Sequence, residues 1–268
     1  MAKPLLTDDL WERIEPLFPE PPPKPMGGRP PIENRKTLTG ILFVLKTGIA
    51  WEDLPVEMEC GSGMTCWRRL RDWQEAGVWE ALVQVLLREL READRLDWTR
   101  AAVDSASSRA MGGGDKTGPN PTDRRKPGSK HHVATDAQGI PLNVTLTGAQ
   151  RHDVTQLLPV LDGIPPVAGK PGHPRHRPDE VYADRAYDSE PHRDELRRRG
   201  IQPHLAKRNA EHGSGLGIYR WVSERTLSWL HQFRRLKTRY DRREDIHQAF
   251  MNIAQAIICF RALNTEFC

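Results

Sequence analysis

The spacing of apolar residues changes once along this chain, near residue 99, and that change limits what it can fold into. Before it, Leu38, Ile41, Leu42 and Leu45 recur at helical spacing, as do Leu82, Val83, Leu86, Leu87, Leu90 and Ala93. After it come "TRAAVDS", "KHHVATD", "PLNVTLTG" and "DEVYADR", all short, rich in β-branched residues and bounded by Gly, Pro, Asn or Asp. Helical patterns then alternate with the later strands. "DVTQLLPVLDGI" opens on Asp153 with Gln156 three residues on, a capping-box pattern that makes Asp153 an N-cap, and "SEPHRDELRRRG" closes on Gly200. A short strand "QPHLA", a long helix through "YRWVSERTLSWLHQFRRLKTRY" and a final amphipathic helix from Ile246 to Leu263 follow. Hairpin strands followed by alternating helices and strands give a mixed α/β sheet. The expected organisation is a helical domain over residues 1–97 and an α/β domain over residues 98–268.

Hydrophobic residues make up 37% of the 268 positions and include eight Trp, enough apolar material for folded cores. With 40 basic and 36 acidic residues the net charge is only +4, so attraction to a polyanion has to come from local clusters. Cys60, Cys66, Cys259 and Cys268 form no CxxC pair and read as free thiols in a reducing compartment. "MAKPLLTDDLW" lacks a basic-then-apolar signal region, and Lys46 interrupts "GILFVLKTGIAW" well short of a membrane span. A cytoplasmic protein is expected.

Basic clusters are present. "SGMTCWRRLRDWQEAG" puts Trp67, Leu70 and Trp73 or Gln74 on one helical face, with Arg68, Arg69 and Arg71 on or near the others. Such a helix can enter a DNA groove, and a solvated basic face on a packed helix is the alternative. Lys116, Arg124, Arg125, Lys126 and Lys130 crowd a Gly/Pro-rich loop after Asp104, where they would hold a DNA strand or merely line a solvated hairpin. In "RRLKTRYDRR" six of ten residues are basic, including Arg235 and Lys237, and a helix there would extend the same track. "GGRPP", residues 27–31, is similar to minor-groove-binding arms but reads more simply as a linker. "GHPRHRP" has two histidines without thiols or acids to complete a metal site, and is a loop.

Three carboxylates stand out by position. Asp104 ends "TRAAVD", Asp184 ends "DEVYAD", and Glu224 lies on the long C-terminal helix, with Arg220 and His231 along its face. Strand ends meet clefts, so two aspartates on different strands can converge while a helix adds a third acid; hard oxygen ligands of this kind suit Mg²⁺ or Mn²⁺. Equally, strand-end aspartates cap turns, and Arg220, Glu224 and His231 can be surface ion-pairing groups.

"AAVDSA", "GPNPTDRRKPGSKHHVATDAQGIPLNVTLTGAQRHD", "VYADRAYDS" and "RWVSERTLSWLHQFRRLKTRYDRR", in that order, resemble bacterial insertion-sequence transposases of the DDE type, in the insertion-sequence-five family. The resemblance extends to "GRPPIENRKTLTGILFVLKTGIAWEDLP" and the Trp/Arg helix, similar to that family's helical DNA-binding region. It implies an RNase H-like mixed sheet with flanking helices, preceded by a small all-α, helix-turn-helix-like domain. It also implies a triad of Asp104, Asp184 and Glu224 holding two Mg²⁺ or Mn²⁺ ions, with Asp104 bridging both. The implied reaction is phosphodiester hydrolysis at the element ends, then attack of the 3′-hydroxyl on target DNA. The implied partners are the terminal inverted repeats, target DNA and a second copy of the chain on DNA.

Two departures accompany the resemblance. Related families frame the glutamate with Tyr, Arg and Lys; here Arg220 matches, but Gly217 and His231 stand at the other two places. Arg125 occupies a loop position where a small residue is expected. Two other functions carry the same residues: a stand-alone metal-dependent DNA nuclease, and a catalytically dead DNA-binding regulator of transposition.

Overall fold

The computed structural model describes residues 4–20, 30–208 and 215–264. Residues 27–29 of the "GGRPP" stretch and Cys268 lie outside the described residues.

The chain opens with α1 (Asp8–Ile14), whose N-cap Thr7 accepts a hydrogen bond from Leu10 N. Helices α2 (Asn34–Thr47), α3 (Gly63–Glu75) and α4 (Val78–Glu92) follow. α2 stops at Gly48, which takes φ 73° as a left-handed cap, and α3 starts from Ser62, whose side chain accepts from Thr65 N. The turn before α3 presses so closely on Gly63 that a Cβ there would lie 1.7 Å from the Trp51 carbonyl oxygen. Leu38, Ile41, Leu42 and Leu45 of α2 and Leu82, Val83, Leu86, Leu87 and Leu90 of α4 are buried, as their spacing requires. Each such side chain contributes about 1.5–3 kcal/mol. On α3 the buried face is Cys66, Leu70 and Trp73. Trp67 is only half-buried and stacks with Arg71 and Arg243.

The second half contains β1 (Arg100–Ala110), β2 (Gly118–Pro119), β3 (Pro127–Thr135), β4 (Pro141–Gly148), α5 (Leu157–Asp162), β5 (Glu180–Ala183), α6 (Glu190–Arg198) and β6 (Gln202–Leu205). It continues through α7 (Gly217–His231), α8 (Arg234–Lys237), β7 (Thr238–Arg239) and α9 (Glu244–Asn264). The central order is β4-β3-β1-β5-β6. β4, β3 and β1 are antiparallel neighbours, whereas β5 and β6 join β1 in parallel. β2 extends the β3 edge and β7 pairs with the far end of β1. An antiparallel meander continued by parallel strands, with helices alongside, is the RNase H-like arrangement.

Several expectations need correction. β1 runs through Ala110, so Asp104 lies inside a strand; what ends beside it is the parallel partner β5. The helix expected to run to Tyr240 breaks at Gln232, which caps α7, and Phe233, an extended residue whose buried ring anchors the turn. The segment at Asp153 begins as a 3-10 turn, Asp153–Gln156, without a side-chain cap. α9 is buried on more than one face, because it packs between α3 and α4 on one side and β4 on the other. Its polar residues are absorbed there: Gln248 donates to Val144 O at 2.9 Å, Asn252 to Glu80 at 2.8 Å and Gln255 to Pro141 O at 3.0 Å. Among the described residues, no helix is long and apolar enough to cross a membrane.

Candidate active site

Strand register brings the two aspartates together. The parallel ladder pairs Arg100 with Glu180 and Ala102 with Tyr182, so Asp104 and Asp184 each lie two residues beyond the last pair. β5 stops there, and its loss of pairing opens a notch beside β1. Asp184 N-caps the turn Arg185–Tyr187 and accepts from Ala186 N at 2.8 Å, so it also does what a turn-capping aspartate does. Asp104 accepts from Ser105 N at 2.8 Å.

α7 crosses this notch. Arg220 Nη2 lies 3.8 Å from Asp104 Oδ2 and 4.0 Å from Asp184 Oδ2, and Ser223 Oγ, which donates to the Arg220 carbonyl at 2.8 Å, stands 3.4 Å from Asp104. Glu224, one turn after Arg220, is exposed. Burial pushes the Asp104 carboxyl up to about 6; the Ser105 N–H and Arg220 oppose the shift, while Asp184 and Glu224 add to it. Asp104 thus senses the charges of both other acids. As the side chains stand, no three His, Cys, Asp or Glu among the described residues lie close enough together to hold a metal ion. Arg220 is the cation between the aspartates. The donor set nevertheless fits a hard divalent ion: oxygen ligands, mutual repulsion and a desolvated carboxylate whose charge a cation would offset.

The basic residues divide by burial. Arg68, Arg124, Arg125, Lys126 and Lys237 are exposed. Arg69 donates to Asn34 at 2.7 Å, Arg71 pairs with Asp72 at 2.6 Å, and Lys116 pairs with Glu244 at 3.3 Å. Arg235 is 5% exposed, held by Asp241 at 3.0 Å and by the Ile49 carbonyl at 3.0 Å, so its charge is used inside the protein. Lys130 is likewise engaged with Asp153 at 3.0 Å. Arg124 and Arg125 adopt φ 49° and 58°, the left-handed turn that made a small residue the expectation.

His231 faces inward. Its Nε2 lies 3.2 Å from His131 Nδ1, and His131 Nε2 lies 2.9 Å from His247 Nε2. His247 Nδ1 faces Asp241 Oδ2 at 3.8 Å. Burial lowers the pKa of all three rings, so neutral imidazoles meet here. Each neutral ring offers one N–H and one lone-pair nitrogen, so the three can bond in series, donor to acceptor. This chain of rings ties α7 to β3 and α9. Only His231 of the three was singled out in the sequence, because His131, His247, Asp241 and the buried Arg239 carry no local signal of burial.

A second polar cluster sits on the other face of β1. Ser105 Oγ donates to Asp153 Oδ1 at 2.6 Å, and Lys130 Nζ donates to the same oxygen. The side chain read as a helix cap is thus an anchor for β1 and β3.

Comparison with known proteins agrees with this architecture. Residues 6–83 match a family described as "Putative transposase of IS4/5 family", and residues 96–259 match "Transposase DDE domain". A Burkholderia cepacia protein described as "Putative transposase for insertion sequence element IS402" is 63% identical over 151 residues, 56% of this chain and 72% of that relative. A Neisseria meningitidis serogroup B protein, "Transposase for insertion sequence element IS1106", is 28% identical over 127 residues, 44% of this chain and 39% of that one. Among solved structures, the Mos1 strand transfer complex aligns at 12% identity over 90% of this chain and 79% of that chain, with a TM-score of 0.34. The DDE match spans more than half of the residues, and its sheet carries the aspartates side by side: the chain belongs to the DDE transposases of the IS4/5 family.

Proposed function

We propose that this chain recognises the ends of an insertion element, cleaves the phosphodiester there and joins the freed 3′-hydroxyl to target DNA, using Asp104, Asp184 and Glu224 as metal ligands. The observation that carries the reading is the pair of aspartates in register at the end of β5, with a desolvated Asp104 carboxyl and Arg220 between them. Bound there, Mg²⁺ or Mn²⁺ would supply Lewis-acid stabilisation of the charge on the attacking and leaving oxygens.

The chain's own residues have separate tasks. Asp104 and Asp184 form the fixed floor of the site, and Glu224, exposed on α7, closes over it. Arg220 is the counter-charge that keeps the acids together in the free protein, and its guanidinium would be available to a DNA phosphate once a cation took over that role. Arg68, Arg69 and Arg71 on α3, Lys116 before β2, Arg124 and Lys126 on the β2–β3 loop, and Lys237 after α7 line the DNA path. Two ends must meet before they are joined, which calls for a second copy of the chain on DNA. Residues 1–97 serve recognition and residues 98–268 serve chemistry.

The test is cleavage of a duplex carrying the native flanks of the gene, with Mg²⁺ or Mn²⁺, by the wild type and by Glu224→Gln. Metal-dependent cuts at fixed end positions that vanish in the variant are expected. Cuts without positional preference would instead indicate a general nuclease, and binding without cuts by the folded wild type a regulator.

A further inference from the structure

Two backbone N–H groups orient the paired aspartates, Ser105 N on Asp104 and Ala186 N on Asp184. Both donors belong to segments that meet the turn carrying Asp153. The Ser105 hydroxyl donates to Asp153 at 2.6 Å. The turn containing Ala186 ends at Tyr187, which is 1% exposed. Its hydroxyl has no hydrogen-bond partner among the described residues. The turn Arg185–Tyr187 packs against the turn Asp153–Gln156 that carries Asp153.

Asp153 is itself held. Lys130 Nζ bonds its Oδ1 at 3.0 Å and the Arg151 carbonyl at 2.9 Å. His132 Nδ1 stands 4.0 Å from the same carboxylate oxygen, while its Nε2 is engaged with Thr147 at 2.8 Å. Lys130 and Asp153 are 13% and 19% exposed, so the pair is screened less than a surface ion pair. Asp153 directs its carboxylate to β1 and β3 and caps nothing in its own turn. A carboxylate placed this way holds Ser105, next to Asp104, while its own turn packs against the turn that Asp184 caps.

We propose that Asp153, neutralised by Lys130, is a positioning residue that holds Asp104 and Asp184 in register for divalent metal binding. This rests on the metal-ligand reading of those two aspartates. Groups that orient metal ligands from behind alter affinity by about 10–100-fold when removed, and the site here has two ligands oriented by one group.

The experiment titrates Mn²⁺ into the free full-length protein and follows the unbound ion by electron paramagnetic resonance. It compares wild type, Asp153→Ala, Asp153→Asn, Ser105→Ala and Asp104→Asn, each checked for a cooperative melting curve. Asp153→Ala is expected to weaken Mn²⁺ binding about 10-fold. Ser105→Ala and Asp153→Asn should weaken it less, because each leaves one of the anchoring contacts in place. Asp104→Asn should abolish binding. Wild-type affinity in folded Asp153→Ala, or in both milder variants if that protein does not fold, overturns the positioning role while leaving the metal reading intact. Binding that survives Asp104→Asn unchanged overturns the metal reading and this inference together.

Discussion

Arg220 stands 3.8 Å from Asp104 and 4.0 Å from Asp184, so one guanidinium serves two carboxylates across two strands. Removing it leaves the acids to repel each other. Arg220→Ala should lower the melting temperature of the metal-free protein by about 2–4 °C, corresponding to about 1 kcal/mol in a chain of this size. It should also increase the stabilisation gained on adding Mn²⁺, because the ion then relieves repulsion that Arg220 no longer offsets. Thermal melts with and without Mn²⁺ check both parts; an unchanged metal-free melt would remove Arg220 from that role.

Asp104 is ionised in a site that penalises its charge, since burial and two neighbouring acids raise its pKa to about 6. Asp104→Asn should stabilise the metal-free fold by about 1–2 kcal/mol while abolishing cleavage. Urea unfolding at pH 7.5, run beside the cleavage assay, would show the two effects moving in opposite directions. Loss of both stability and activity would mean that the carboxylate is structural.

Arg125 holds φ 58° in the turn before β3. A non-glycine residue there costs about 1–2 kcal/mol in local conformation, offset in part by the greater chain entropy of glycine when unfolded. Arg125→Gly should therefore raise stability by up to about 1 kcal/mol. The same variant should weaken DNA binding if this loop meets phosphate, which a salt-dependent binding titration measures as a shallower slope.

The buried imidazole chain makes stability depend on pH with a definite sign. His131, His231 and His247 have folded pKa values below their ordinary one, so the unfolded chain takes up their protons first, and stability is lost as pH falls below about 6.5. His132, lowered to about 4, adds to the same limb. Asp136, raised by burial to about 7, works in the opposite direction, because the folded state takes up its proton first. Comparison with His131→Gln isolates the histidine contribution: between pH 6.5 and 5 the wild type should lose more stability than the variant, by at most about 2 kcal/mol per ring. Denaturation midpoints at pH 7, 6 and 5 decide it, and parallel slopes would sink the idea.

Arg235 and Asp241 form a buried pair at 3.0 Å, so truncating one strands the other. Asp241→Ala should destabilise the protein by about 3–5 kcal/mol, whereas Lys237→Ala on the exposed side of the same segment should leave stability unchanged and weaken DNA binding. Melting and binding curves for the two variants separate the inward charge from the outward one.

Much of this was legible in the order of residues, and what was not has physical causes. The switch from helical to strand spacing located the sheet, and the motifs around Asp104, Asp184 and Glu224 located the candidate site. Strand register could not be read locally: that Asp104 and Asp184 are level with each other follows from β5 pairing with β1, a long-range fact. Burial was similarly hidden. Arg235 and Lys237 are alike in sequence, yet Phe233 turns the chain so that one faces Asp241 and the other solvent. Asp153 followed the capping pattern, but Ser105 and Lys130, far away in the chain, take its carboxylate instead.

α9 bonds to Glu80 of α4 and to the β4 carbonyl of Val144, so the helices that would read DNA and the sheet that would cut it share one beam. Such a frame would work as a caliper, fixing within the protein the distance from bound sequence to cut phosphate. One extra base pair between them would carry the phosphate about 3.4 Å along the duplex and turn it by about 34° around the axis. An element served by this chain would thus tolerate changes of sequence near its tips more readily than changes of length.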